Sequence, residues 1–435
     1  MIATSWTARW KAARLVRIGL PGAVVLLVLV AAIAVFATSR PAAATRGGDD
    51  WVTSWSASPQ HAMPGTVAAA GFDNQTVREI IVTSVGGDPI RLELTNTFGA
   101  SPLQVGHVTV AVADLGAEAV PGTIHPVSFG GRASVRIPPG AQVLSDPVGM
   151  QVWPLQELAV SVYLPGRTGA ATLHSDAQQV NWVSVAGDHA AEAGAGAFPV
   201  EGLSWYYLSG LIVRSAGVDG TVVTFGDSIT DGLQSTVGAN LRWPNDLARR
   251  LDAAVGPALA VADEGIGGNR VLTGSRCCGA SAEARFARDA LDQPGVRDII
   301  VLEGINDIGF SAGPPDSDTD VSAAQIIAGY ERLIAQAHAR ELRIFGATLL
   351  PFQGAGYYTA AGEATREAVN AWIRTSGAFD GVIDFDAVMR DPADPLRLNP
   401  AYDSGDHLHP DDAGYQAMAN AINLEMLLLL LPPPR

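Results

Sequence analysis

The chain predicts two layered units in series: an antiparallel β-sandwich of jelly-roll type, then an α/β domain whose parallel sheet is covered on both faces. Three observations predict this. From Trp51 to Ala216, short apolar runs are separated by Gly/Pro/Asp clusters with no helical periodicity between them. After Gly220, strand-like runs alternate with helical stretches, the pattern of a parallel sheet. With 435 residues, 48% of them apolar, the chain has material for two cores and a targeting segment.

Residues 1–45 differ from the rest. Arg9, Lys11, Arg14 and Arg17 precede an uncharged stretch from Ile18 to Ala37, followed by Ala42-Ala43-Ala44. A positive flank, an apolar segment and an A-x-A site describe a secretory signal peptide. As a helix the apolar stretch is roughly 30 Å long, enough to span a bilayer, so a retained signal anchor is the alternative. Either form leaves the rest of the chain outside the cytoplasm, secreted or membrane-anchored. Thr45 to Asp50 reads as a polar linker.

The sandwich is expected over residues 46–218. Its strand signals are Thr76–Ser84, Ile90–Thr95, Val105–Ala113, Ala133–Ile137 and Leu158–Leu164. Apolar and polar residues alternate in Arg91-Leu92-Glu93-Leu94-Thr95 and Ala159-Val160-Ser161-Val162-Tyr163, as in strands with one buried face. Ala190–Pro199 is Ala/Gly-rich and reads as a loop. Trp51, Trp55, Trp153 and Trp182 are either core residues or platforms for sugar rings.

The α/β unit is expected over residues 219–431, with a short tail at 432–435. Its strand runs are Thr221–Phe225, Leu259–Ala262, Asp298–Leu302, Arg343–Thr348 and Gly381–Phe385. Helical stretches are Asp246–Val255, Ala282–Leu291, Ala323–Arg340, Ala360–Ser376 and Pro410–Leu431. In the last, Tyr415, Met418, Ala419, Ile422 and Met426 form a core face at helical spacing.

The residues able to do chemistry follow the strands, where open α/β sheets place their sites. Ser228 lies in Thr224-Phe225-Gly226-Asp227-Ser228-Ile229-Thr230-Asp231-Gly232, directly after the first run. A serine hydroxyl needs a base and an oxyanion site to act as a nucleophile. His409 supplies the base from Asp406-His407-Leu408-His409-Pro410, with His407 its rival. Asp406, three residues earlier, is placed to fold onto the imidazole and fix its tautomer. The glycines of Glu264-Gly265-Ile266-Gly267-Gly268-Asn269-Arg270 let a backbone N–H approach a substrate oxygen. Asn306, in Glu303-Gly304-Ile305-Asn306-Asp307, offers a side-chain donor to the same oxygen. Asp227, Asp231, Asn269, Arg270 and Glu303 are candidates for the pocket lining or its supports.

In order and context these segments resemble the blocks of the SGNH/GDSL hydrolase superfamily. The resemblance covers about residues 219–431. It implies a flavodoxin-like three-layer fold and ester hydrolysis without metal or other cofactor. It makes Ser228 the nucleophile, Asp406 and His409 its partners, and Ser228, Gly268 and Asn306 the oxyanion donors. Over its full length the chain looks like secreted two-domain arylesterase/acylhydrolase-like proteins, some linked with xylan degradation; Gly265–Leu272 and Ile300–Ile308 carry that closer likeness. An acetylated polysaccharide is the expected substrate, with aryl or lipid esters as the alternative.

Other readings compete. Gly309-Phe310-Ser311-Ala312-Gly313 matches G-x-S-x-G, an elbow that must sit directly between a strand and a helix. Asp227, Asp231, Asp406, His407 and His409 have metal-ligand chemistry. A wall- or glycan-binding protein with an inactive hydrolase domain is the non-enzymatic reading. The net charge of −16 argues against nucleic acid or anionic lipid as a partner, leaving the N-terminal segment as the route to a membrane. The only cysteines, Cys277 and Cys278, are adjacent. They could bond to each other, stay free or pair between chains, and a structural loop feature is the expectation.

Overall fold

The computed structural model describes residues 50–312 and 321–429. The expectations for the export segment, for most of the linker and for the tail lie outside the described residues.

Two antiparallel sheets face each other in the N-terminal half. One places Trp51–Ser56, Leu208–Arg214, Ile90–Thr95 and Gln142–Leu144 side by side in that order. The other runs Val200–Gly202, Asn181–Ala186, Gln75–Val82, Glu157–Leu164, His107–Val112, His125–Val127. Alternation decides which side chains meet between them. Val77 and Ile81 point inward against Leu92, Leu94, Leu211 and Val213 in one shared core. Ile80, on the opposite face of its strand, joins a smaller cluster with Ala111, Ala159, Trp182 and Phe198. The Ala/Gly-rich segment 190–199 therefore closes the outer face with Phe198, and it contains one short 3-10 turn, Ala195–Ala197.

The single strand expected over Val105–Ala113 is two. Leu103–Val105 pairs with Val135–Ile137, and His107–Val112 joins the six-stranded sheet. Gly106 separates them. A Cβ there would lie 2.8 Å from the Tyr163 ring, so a side chain would block the passage from one sheet to the other.

The C-terminal half has a five-stranded, all-parallel sheet in the order Ala260–Gly265, Thr221–Gly226, Val296–Leu302, Arg343–Ala347, Gly381–Ile383. In chain order this is 2-1-3-4-5, the flavodoxin-like arrangement. Thr221–Gly226 is buried along its whole length, which explains its unbroken apolar run. The helices carry local start signals. Ser322 opens Ala323–His338 with a reciprocal capping box to Gln325, and Ile326, Tyr330, Leu333, Ile334 and Ala337 form its buried stripe.

Two expected helices end differently. The stretch Ala282–Leu291 is α-helical to Phe286 and continues as a π turn over Ala287–Leu291. The last helix is two helices, Asp412–Ala421 and Leu424–Leu428. Ile422 is extended, and the Asn423 side chain caps the new start by accepting from the Glu425 N–H. Apolar spacing runs across the break because Ile422 and Leu427 are buried in the same core. Among the described residues no helix is long and apolar enough to cross a membrane.

The two halves share a boundary of backbone and hydroxyl contacts. The Thr53 N–H donates to the Thr221 hydroxyl at 3.1 Å, and the Val261 N–H to the Ser84 hydroxyl at 2.9 Å. Ala260, in the edge strand of the parallel sheet, is buried in the sandwich core.

Candidate active site

Ser228 begins a single helical turn, Ser228–Asp231, at the carboxyl end of the strand Thr221–Gly226. Asp227 caps that turn, its carboxylate accepting the Ile229 N–H at 3.0 Å. Burial pushes the Asp227 carboxyl up to about 7, against the Ile229 hydrogen bond and the nearby His409. Its other oxygen has no partner among the described residues.

His409 is brought to Ser228 by the turn before the Asp412–Ala421 helix. The Ser228 hydroxyl donates to His409 Nε2 at 2.8 Å, and His409 Nδ1–H donates to Asp406 at 2.6 Å. Asp406 also accepts the N–H groups of Leu408 and His409 at 2.9 and 2.8 Å, so one carboxylate sets both the turn and the ring. Burial works against this carboxylate, but these hydrogen bonds from His409 and Leu408 outweigh it and hold its pKa below the usual range. The Tyr415 hydroxyl, from the following helix, donates to the Leu233 carbonyl at 2.6 Å and ties that helix to the serine turn. His407 faces away from this pair, bonded to Asp403 at 2.6 Å.

The glycine loop and Asn306 close the other side. Gly268 adopts a φ of +70°, and a Cβ there would fall 2.7 Å from Cys278 Sγ. Glycine is thus required twice, for the backbone and for the space. Gly265 lets the edge strand approach the serine turn; its Cβ would lie 2.2 Å from the Asp231 nitrogen. The Asn306 amide is oriented from both ends, accepting from the Tyr357 hydroxyl at 3.2 Å and donating to the Asn269 carbonyl at 3.0 Å. Among the described residues the backbone N–H groups of Ser228 and Gly268 have no protein acceptor. Asp307 holds the start of the next segment by accepting from Val271 and Leu272 at 2.7 and 3.1 Å.

The supporting candidates are buried and committed. Asn269 donates to the carbonyls of Cys278 and Ala280 at 2.6 and 2.8 Å. Arg270 is buried, with its guanidinium over the Phe310 ring. Glu303 is fully buried, and burial followed by the nearby Asp227 raises its carboxyl well above the usual range. Cys277 and Cys278 are bonded to each other, in the loop that packs on Gly268.

The competing motifs are placed elsewhere. Ser311 sits in a 3-10 turn, bonded to the Ile308 carbonyl, and the helix Ile305–Gly309 separates it from the strand ending at Leu302. Among the described residues no group of His, Cys, Asp and Glu side chains is arranged to hold a metal.

Arg285 was not visible in the sequence as a site residue. Fully buried on Ala282–Phe286, it donates to the carbonyls of Gly226 and Glu264 at 2.8 Å and to Asn269 Oδ1 at 2.9 Å. It also donates to Ser58 of the sandwich at 3.0 Å and lies over the Phe225 ring. One guanidinium therefore pins the strand end before Ser228, the strand end before the glycine loop, and the loop itself. Its main partners are backbone carbonyls distant in sequence, and no local pattern announces them.

Residues 224–417 match the GDSL-like Lipase/Acylhydrolase family. The chain carries an ester hydrolase domain of the SGNH/GDSL superfamily. Solved structures with similarity include an acetylxylan esterase from Geobacillus stearothermophilus (20% identity, 48% of this chain and 95% of that one, TM-score 0.38). A GDSL-like lipase from Bacteroides thetaiotaomicron VPI-5482 is 17% identical over 49% of this chain and 92% of its own, with a TM-score of 0.36. An alpha/beta hydrolase enzyme from the metagenome of Lake Arreo, Spain, is 19% identical over 50% and 99%, with a TM-score of 0.38. No curated protein matches the chain.

Proposed function

We propose that the chain is an exported serine esterase that works through an acyl-enzyme and removes short acyl groups from a polysaccharide. The observation that carries the mechanism is the hydrogen-bonded chain from Ser228 through His409 to Asp406, at 2.8 and 2.6 Å. Ser228 Oγ attacks the ester carbonyl carbon while His409 Nε2 takes its proton. The negative oxygen so formed is held by the N–H groups of Ser228 and Gly268 and by the Asn306 amide. The C–O bond to the alcohol breaks, and the alcohol leaves with the proton from His409. Water, deprotonated by the same imidazole, then releases the acid.

Asn306→Ala is expected to lower kcat about 10²–10³-fold with little change in KM, since its donor acts mainly on the charged intermediate. An unchanged kcat would remove Asn306 from the mechanism.

The polysaccharide reading rests on a cleft of about 350 Å³ shared by the two halves. His61 and Phe98 of the sandwich, rings 4.1 Å apart, face Ser275, Arg276 and Gly279 of the loop that packs on Gly268. Aromatic faces beside polar side chains suit a sugar ring. Export rests on the charge and apolar pattern of residues 1–45.

The test is acid release by the full chain from acetylated xylan, p-nitrophenyl acetate and p-nitrophenyl palmitate, with EDTA in parallel. Acetate release from the polysaccharide, insensitive to EDTA, is expected. Preference for palmitate would replace the glycan reading with a lipid ester, and loss of activity with EDTA would contradict the mechanism.

A further inference from the structure

The sandwich reaches the glycine loop by a second, buried route. His174, at the end of the strand Thr172–His174, is 4% exposed. Its Nδ1 lies 3.0 Å from the Ser58 carbonyl oxygen and its Nε2 3.0 Å from an Asp231 carboxylate oxygen. Both partners only accept, so both ring nitrogens donate and the ring is an imidazolium. Burial opposes that charge, but Asp231 and the hydrogen bonds to Asp231 and Ser58 prevail and raise the pKa to about 9.

Asp231 links this cation to the site. It closes the helical turn that Ser228 opens, and its second oxygen accepts the Gly267 N–H at 3.0 Å. Asp176, also from the sandwich, covers the same residue: a Cβ on Gly267 would lie 2.8 Å from its carboxylate. The peptide leading into Gly268 is thus held between Asp231 below and the sandwich above.

We propose that His174 is a positioning residue of the hydrolase, fixing the Gly267–Gly268 peptide relative to Ser228 through Asp231. The proposal rests on the reading of Gly268 as an oxyanion donor. A glycine pair has little conformational preference of its own, whereas a donor off by about 1 Å loses on the order of 10²-fold in rate. The buried Asp231 carboxylate supplies the missing restraint, and its bond to His174 fixes where that carboxylate sits. On this account the sandwich completes the site in which the chemistry occurs, and this role is separate from substrate binding.

The test uses the full chain with His174→Gln, Asp231→Asn and the double variant, on p-nitrophenyl acetate. Active sites are counted with a fluorophosphonate that labels the nucleophile, so unfolded protein does not enter kcat. Expected is a 10–100-fold fall in kcat per labelled site for His174→Gln, with KM within about twofold of native. The double variant should be no slower than the slower single one, because the two residues act in series. Native kcat per labelled site in His174→Gln, or multiplying losses in the double variant, would overturn the proposal. If His174→Gln does not fold, the isosteric Asp231→Asn is read by the same rule. Failure of the nucleophile reading looks different: the native protein would turn over ester without labelling at Ser228.

Discussion

Ser228→Ala is expected to fold as the native protein does and to hydrolyse p-nitrophenyl acetate at least ~10⁴-fold more slowly. Fold and rate separate here for a structural reason. The Ser228 hydroxyl bonds to His409, while its turn is capped by Asp227 and closed by the Gly232 N–H donating to the Ser228 carbonyl. Alanine keeps all the backbone bonds and is a better helix former than serine. The thermal midpoint should therefore move by no more than ~2 °C, the equivalent of about 0.5–1 kcal/mol. What survives is the stabilisation that Gly268, Asn306 and the Ser228 N–H give to attack by water, which accounts for a residual rate above background. A variant that keeps a tenth of native kcat would place the nucleophile elsewhere.

Arg285→Met is expected to destabilise the chain by about 3–5 kcal/mol, because it leaves buried acceptors and acids without their cation. Carbonyls of Gly226 and Glu264 lose a donor, and the buried Glu303 loses its ion-pair partner. For a core of this size that is a fall in thermal midpoint of ~10 °C. Arg285→Lys should recover less than half of it. An ammonium cannot reproduce the fork that reaches Asn269, Glu264 and Gly226 together. Circular dichroism melts of the three proteins decide the matter, and a midpoint within 2 °C of native for Arg285→Met would contradict the assigned role.

The sequence made the chemical segments readable and their support unreadable. Ser228, Asn306 and the glycine loop each follow an apolar run that is a strand, and His409 lies three residues from Asp406, so short-range pattern places them. The supports are long-range. His174 and Asp231 are separated by 57 positions, and Arg285 and Ser58 by 227; nothing local joins either pair. The strand Trp51–Ser56 was hidden for a related reason. All of its residues but Trp51 are buried, so the alternation that marks one-sided strands is missing. Tryptophans divided according to depth. Trp55 and Trp182 belong to the cores, whereas Trp153 is 64% exposed on a separate open cleft bordered by Asp88, Gln151 and Arg214. The break at Asn423 carried a readable signal, a capping residue, but apolar spacing continuing past it masked the stop.

The most direct test of the central claim is to treat the full-length protein with a stoichiometric fluorophosphonate and locate the adduct by peptide mass spectrometry. The account predicts one adduct, on Ser228, appearing in step with complete loss of esterase activity. An adduct on Ser311 or another residue in step with inactivation, or full activity with Ser228 modified, would contradict it.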